Sequence, residues 1–299
     1  MKKISTLCLA VLSTYTGVQA GSFQLPTQGV RQTALGGSGT AFPWDASSIF
    51  FNPGSLARLQ YFEVSIQGYL LRPEVRYAAP SPGSYIADNQ TQFSTPFNLY
   101  VGGKFRPEHR LAFGLGVYTP FGSSLVWDDD WRGRFVTRSI SLSTVFFQPT
   151  VSYEINDMIS VGAGFVYGTG NMELNKAIPL QDANGEGNAH LEGRAQGIGL
   201  NIGIQIQPTD RFSIGLNYRS GPVMKVNKGV AKFDVPVSLA PDFPNTNFNT
   251  ELHLPDMITL GVAGKVTSRL TLQADIIYAT WSKYESLQFD FEQKYRITD

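Results

Sequence analysis

Gly197-Ile198-Gly199-Leu200-Asn201-Ile202-Gly203-Ile204-Gln205-Ile206-Gln207 sets a large aliphatic at every second position and glycine or a neutral polar residue between. Successive side chains of a strand point to opposite faces, so this stretch is a strand with one oily face and one small, wet face. A soluble sandwich can hold one such strand, but here the pattern recurs along the whole chain. Only 42% of the residues are hydrophobic, and no apolar run approaches the ~20 residues that a membrane helix needs. Hydrophobicity dispersed at period two is the pattern of a transmembrane antiparallel β-barrel.

Further strands of this kind are read at 61–71, 97–105, 111–118, 139–155, 159–167, 212–218, 257–266 and 270–280, and another begins near Leu287. Within 139–155 the oily face starts on Ile140 and Leu142 and finishes on Val151, Tyr153 and Ile155, a slip near Thr144 that calls for a bulge. Short connections (106–110, 156–158, 208–211, 267–269) alternate with long ones (72–95, 122–138, 168–193, 220–254). One rim of tight periplasmic turns and one of long external loops suits an outer-membrane barrel of a Gram-negative cell. Tyr61, Tyr118, Tyr153, Tyr167, Tyr218, Tyr278 and Trp281 at strand ends fit interfacial girdles, and β-propensity accounts for part of that set.

Residues 1–20 read as a secretory signal: Lys2 and Lys3, an apolar run from Leu7 to Leu12, and the small-x-small ending Val18-Gln19-Ala20. The single cysteine, Cys8, lies inside it, so the mature chain has no disulfide and no cysteine metal site. Acidic and basic residues balance at 24 each, leaving no basic excess for nucleic acid. His109, His190 and His253 fall in a turn and two loops, without metal-ligand spacing and outside the strand interiors where a barrel lipase would need one. No enzyme, cofactor or metal is expected.

Residues 21–60 do not alternate and are too short for a domain, so they read as a plug within the barrel formed by 61–299. The run Leu35-Gly36-Gly37-Ser38-Gly39-Thr40 lacks the lysine of a phosphate loop. Here a resemblance enters. Gly21-Ser22-Phe23-Gln24-Leu25, Asp45-Ala46-Ser47 and Phe51-Asn52-Pro53-Gly54 resemble the N-terminal hatch of FadL-type long-chain fatty-acid transporters. Later matches are Gly116-Val117-Tyr118-Thr119-Pro120-Phe121-Gly122, Trp131-Arg132-Gly133-Arg134-Phe135, Gln148-Pro149-Thr150-Val151-Ser152-Tyr153, Leu254-Pro255-Asp256-Met257 and Thr280-Trp281-Ser282-Lys283-Tyr284.

The resemblance implies a fourteen-stranded monomeric barrel in outer-membrane lipid and lipopolysaccharide, with the hatch in its lumen. Hydrophobic ligand is captured by the loops, passed to a pocket near the hatch and released sideways through a kinked third strand, passively. The hatch turn has Gly54 where the family usually has alanine, which implies more freedom there. Nine strands and a start are counted, and Tyr295-Arg296-Ile297-Thr298-Asp299 lacks a terminal aromatic. Either the chain is missing the last part of the family's barrel or it closes a smaller one.

Pro120 either ends the third strand at Tyr118 or kinks it from Tyr118 through Phe121 to Gly122. With the family in view, Asn52, Pro53 and Gly54 face that opening as a movable stop and Phe23 enters or lines the pocket. Trp127, Trp131 and Phe135 form either an exposed landing site or loop packing. Asp128, Asp129 and Asp130 read as a solvated run, with a calcium or lipopolysaccharide bridge as the alternative. Lys176 and Arg194 are the candidate cations for a ligand carboxylate. Long-chain fatty acids are the expected substrates. Monoaromatic hydrocarbons and a general diffusion porin are the alternatives, and an adhesin would lack the hatch.

Overall fold

The computed structural model describes residues 23–180, 185–284 and 286–293. The signal-like residues 1–20, with Lys2, Lys3 and Cys8, and the terminal 295–299 lie outside that set. The described strands are β1 (Glu63–Gly68), β2 (Arg76–Ala78), β3 (Ile86–Asp88), β4 (Phe97–Gly103), β5 (Leu111–Tyr118), β6 (Gly122–Val126), β7 (Ser139–Glu154) and β8 (Ile159–Pro179). They continue with β9 (Glu186–Thr209), β10 (Phe212–Arg219), β11 (Val223–Asp234), β12 (Thr246–His253), β13 (Met257–Lys265), β14 (Thr271–Ala279) and β15 (Asp290–Phe291).

Thirteen of these form one antiparallel sheet whose main path is β1-β4-β5-β7-β8-β9-β10-β13-β14, while β2 and β3 make a separate hairpin. Interrupted strands continue one another: β6 follows β5 along β7, β11 follows β10 along β9, and β12, paired with β11, precedes β13, paired with β10. The wall therefore has nine staves among the described residues. Its path ends at β1 and β14, which do not pair with each other among those residues.

Alternation decides the two faces. In β9, Asn201 and Gln205 are fully buried while Ile198, Leu200 and Ile202 are exposed. Val151 on β7, Leu216 on β10 and Leu260 on β13 are likewise exposed, an oily exterior of the kind lipid solvates.

The inner face is occupied by the N-terminal segment, which carries a helix (Val30–Ala34), a helical turn (Ser48–Phe51) and a 3-10 turn (Pro53–Arg58). Short helical pieces leave many carbonyls unpaired within themselves, and inner-face side chains supply the donors. Gln148 on β7 donates to the Ile49 carbonyl at 2.6 Å. Asn201 on β9 donates to the Ile49 and Phe50 carbonyls at 3.1 Å each. Gln205 and Ser213 both donate to the Ala41 carbonyl, at 2.6 and 2.7 Å. Across the lumen, Asp275 on β14 accepts from the amides of Gly39 and Thr40 at 2.9 and 3.0 Å. One short segment touching the inner faces from β7 to β14 requires the sheet to curve around it. At its far end Arg58 donates to the carbonyls of Asn156 and Asp157 in a tight turn and shares Glu154 with Lys104.

Three expectations are corrected. No bulge occurs in β7: its pairing with β8 keeps one register from Ser139↔Asn175 to Glu154↔Ser160. Ile140 and Leu142 sit on the inner face there, so it is oil that changes face, not the strand.

Within the expected long loops 168–193 and 220–254, residues 168–179, 186–193, 223–234 and 246–253 are not loop but strand arms, of β8, β9, β11 and β12. At about 3.3 Å per residue, the 21 residues of β8 span roughly 70 Å, well beyond an apolar band of about 25 Å. The outer half has no lipid to solvate it, and the oily alternation lapses. His190 consequently lies within β9, with Nδ1 2.6 Å from Asn175 Oδ1.

Tyr118 is buried and Trp281 packs on Phe23 with ring centroids 5.2 Å apart, so neither belongs to an outer girdle.

Candidate functional site

The third stave is broken. β5 pairs with β7 in one register from Leu111↔Tyr153 to Tyr118↔Phe146, and β6 resumes at Gly122↔Ser143. Thr119, Pro120 and Phe121 thus stand opposite only Val145 and Thr144. One extra residue on one strand is a bulge, and Pro120 brings no N–H to pair. The slip expected in β7 lies in its neighbour.

The break opens a window towards β4. Its sill is Thr119, whose hydroxyl accepts from the Phe97 amide and donates to the Phe97 carbonyl at 3.1 Å each. Its lintel is the Gln90 amide on the Val126 carbonyl at 2.7 Å and Ser124 on Gln92 at 3.1 Å. From inside, residues 23–25 replace the missing ladder: the Leu25 amide donates to the Pro120 carbonyl and the Gly122 amide to the Phe23 carbonyl, both at 2.9 Å. Side-chain and stand-in strand bonds satisfy backbone groups that lipid could not.

A cavity of 790 Å³ lies at this window. Phe23, Leu25, Phe93, Phe97 and Phe121 line it, together with inner-face Leu142 and Thr144 and outer-face Ser143 and Val145 of β7. Residues of both the inner and the outer register of β7 thus border it. Phe23 is seated in an aromatic cluster, with ring centroids 5.9 Å from Phe121 and 5.8 Å from Tyr284. Below, Tyr118 donates to Gln148 at 2.6 Å and packs against Phe50 at 5.2 Å.

Asn52, Pro53 and Gly54 are buried on the β8–β9 side and do not line the window cavity. Asn52 Nδ2 donates to Thr40 O at 2.8 Å and to Ile204 O and Gln205 Oε1 at 3.1 Å, while its Oδ1 accepts from the Gly54 amide at 3.0 Å. Gly54 is not in the left-handed region; a Cβ there would stand 2.7 Å from Gly203 O. Close approach to the wall, not freedom of the turn, is the physical reason for glycine.

The loop aromatics also sit differently from an exposed landing site. Trp127 and Trp131 stack at 4.4 Å and 14° and are buried, leaving only Phe135 exposed. Their loop is tied to β9 by Glu186, which accepts from Arg134 Nε at 2.5 Å and Arg138 Nη2 at 3.1 Å. The Arg134 guanidinium holds the Glu186 carboxyl below the usual carboxylate range. Asp128 accepts from Gln90 at 3.0 Å, and no group of three acidic, histidine or cysteine side chains among the described residues is placed to hold a metal ion. Lys176 and Arg194 lie on the β8–β9 arm and do not line the cavity.

Sequence reading missed two lumen charges, Asp275 and Arg219. Both stand at inner-face positions of alternating strands, and that register was the available signal.

Comparison with known proteins gives a consistent picture. A family model described as outer membrane protein transport protein (OMPP1/FadL/TodX) matches residues 9–299. The long-chain fatty acid transport protein of Salmonella typhi is 23% identical over 95% of this chain and 71% of its own length. Among solved structures, a Pseudomonas aeruginosa FadL homologue superposes with a TM-score of 0.75 at 18% identity, over 91% of this chain and 72% of that one. The Ralstonia pickettii toluene transporter TbuX gives a TM-score of 0.70 at 16% identity, over 89% and 75%. The fold is that of these β-barrels.

Proposed function

Because the chain belongs to the outer membrane protein transport protein family (OMPP1/FadL/TodX), whose members carry hydrophobic compounds across the outer membrane, we propose that it takes up long-chain fatty acids and releases them sideways into the bilayer. The window at Thr119–Phe121 carries this reading, since its cavity lies at the break in the wall and is bordered by residues of both registers of β7. A ligand lying against Phe23 in the lumen has a short apolar route past Phe121 and Val145 to lipid. Movement is downhill and needs no coupled energy source.

The N-terminal segment acts as the hatch. Asn52, Ser55, Leu56 and Ala57 are fully buried in the lumen, and such a packed lumen argues against a general diffusion porin, which needs a wide, wetted bore. The protein works as a monomer, its loops meeting lipopolysaccharide. Capture falls to the apolar rim of the cavity, including Val75 and Phe93, since the tryptophan pair is buried.

Monoaromatic hydrocarbons are the second reading, favoured by the solved toluene transporters of this fold. Uptake of labelled oleate and labelled toluene, in a Gram-negative host deleted for its own transporter, tests both. Oleate accumulation above the empty-vector level is expected. Accumulation of toluene alone selects the second reading, and accumulation of neither defeats the transport reading.

A further inference from the structure

β14 follows the tight turn at 267–269 and so climbs to the outer end of the wall, where its ladder with β13 stops at Met257↔Ala279. Beyond Ala279 the chain leaves the sheet. Trp281–Lys283 form a 3-10 turn, closed by the Lys283 amide on the Thr280 carbonyl at 3.1 Å and the Tyr284 amide on the Trp281 carbonyl at 3.0 Å. The turn folds inward, and Trp281 and Tyr284 both meet the Phe23 ring edge-on, at 85° and 79°. Phe23 lines the window cavity and neither of the other two rings does, so Phe23 stands between the cavity and the turn.

Asp256 fastens this turn. Its backbone accepts from the Thr280 amide at 3.0 Å and donates to the Thr280 hydroxyl at 2.9 Å. Its carboxylate accepts from the Gly221 amide at 2.8 Å through Oδ1 and from Lys283 Nζ through Oδ2. Thr280 still belongs to the end of the ladder, whereas Lys283 belongs to the part that has folded inward. The Lys283 and Asp256 side chains are 51% and 17% exposed. An ion pair so open to water is weak: it holds the turn without locking it.

We propose that the turn is an outer lid on the lumen and that Asp256 and Lys283 are its clasp. Closed, the lid keeps Phe23 in its aromatic seat. With the clasp open, Trp281 and Tyr284 withdraw and leave that apolar space to ligand. Asp256 is a positioning residue, since it acts through the turn. The inference rests on the transport reading above and adds a closed state with which ligand competes. A ligand that needs the open state binds more weakly by the fraction of molecules that are open. Weakening the clasp therefore tightens binding, whereas damage to a merely structural contact loosens it.

The test is titration of the purified full chain, in a nonionic detergent, with oleic acid. Asp256→Asn keeps an acceptor for the Gly221 amide and removes the charge; Lys283→Met removes the other charge. Each, checked as a heat-modifiable barrel, is expected to bind oleic acid about two- to fivefold more tightly than wild type, the range of one half-exposed ion pair. Direct attraction or repulsion of the anion would instead shift the two variants in opposite directions. Lys283→Arg, which keeps the pair, is expected to bind as wild type does, and with Lys283→Met it carries the test if Asp256→Asn does not assemble. Unchanged or weaker binding in an assembled charge-removed variant, or opposite shifts in the two, overturns the clasp while leaving transport intact. Failure of wild type to bind oleic acid removes the transport reading and the lid with it.

Discussion

Deletion of Pro120 is expected to reduce oleate uptake to the empty-vector level in a barrel that still assembles. Three residues now face two across the β5/β6–β7 seam. Removing one lets Thr119 pair with Val145 and Phe121 with Thr144, so that the register of β5 runs unbroken into β6. Phe121 keeps its inward direction and Gly122 its outward one, so no side chain changes face. The continuous ladder takes over backbone groups now held by Gln28, Thr144 and residues 23–25, and the closed seam displaces residues 23–25 from their stand-in bonds. Pro120→Gly keeps the extra residue and is expected to keep most of the uptake. The check is uptake beside heat-modifiable migration of both variants.

Asn52→Ala should be the next most damaging change. It removes three donated bonds and the cap on the Gly54 amide, at a site with no access to water. Each buried group left unpaired costs about 1–3 kcal/mol, enough to free the Pro53–Arg58 turn from β9 without touching the strand ladders. Faster hydrogen exchange over residues 52–58 and uptake reduced severalfold are expected in an assembled barrel. Unchanged exchange with normal uptake would remove the segment's anchor from the mechanism.

The wall was legible because lipid enforces a strict alternation, and stretches such as Leu111 to Tyr118 have no other use for it. Where lipid is absent the signal fails. Met172 and Leu174 continue β8 above the band, yet their neighbours Asn175 and Lys176 break the period and read as loop. Leu142 is oily on the inner face because a cavity, not water, faces it, and together with Ile140 it mimicked a bulge in the wrong strand. Pro120 marked the break correctly as one of two alternatives, but only pairing with β7 separates a kink from a strand end.

The residues of the N-terminal segment could be named from their motif but not placed. Asn52 is bound to β9 because Gly162 and Gly203 leave room on that wall, and such long-range complementarity has no local signature. The stacked Trp127 and Trp131 show the same limit: Trp131 packs against Tyr77, whose ring lies 5.8 Å away and which is distant in sequence.

The route itself can be read directly by photolabelling. A long-chain fatty acid with a terminal diazirine, irradiated in cells during uptake, should leave adducts at the window, on Phe97, Phe121 and Val145. Adducts confined to the tight-turn rim, at Arg58 to Gln60 and Asp210, would mean that the ligand leaves along the barrel axis and would contradict lateral release.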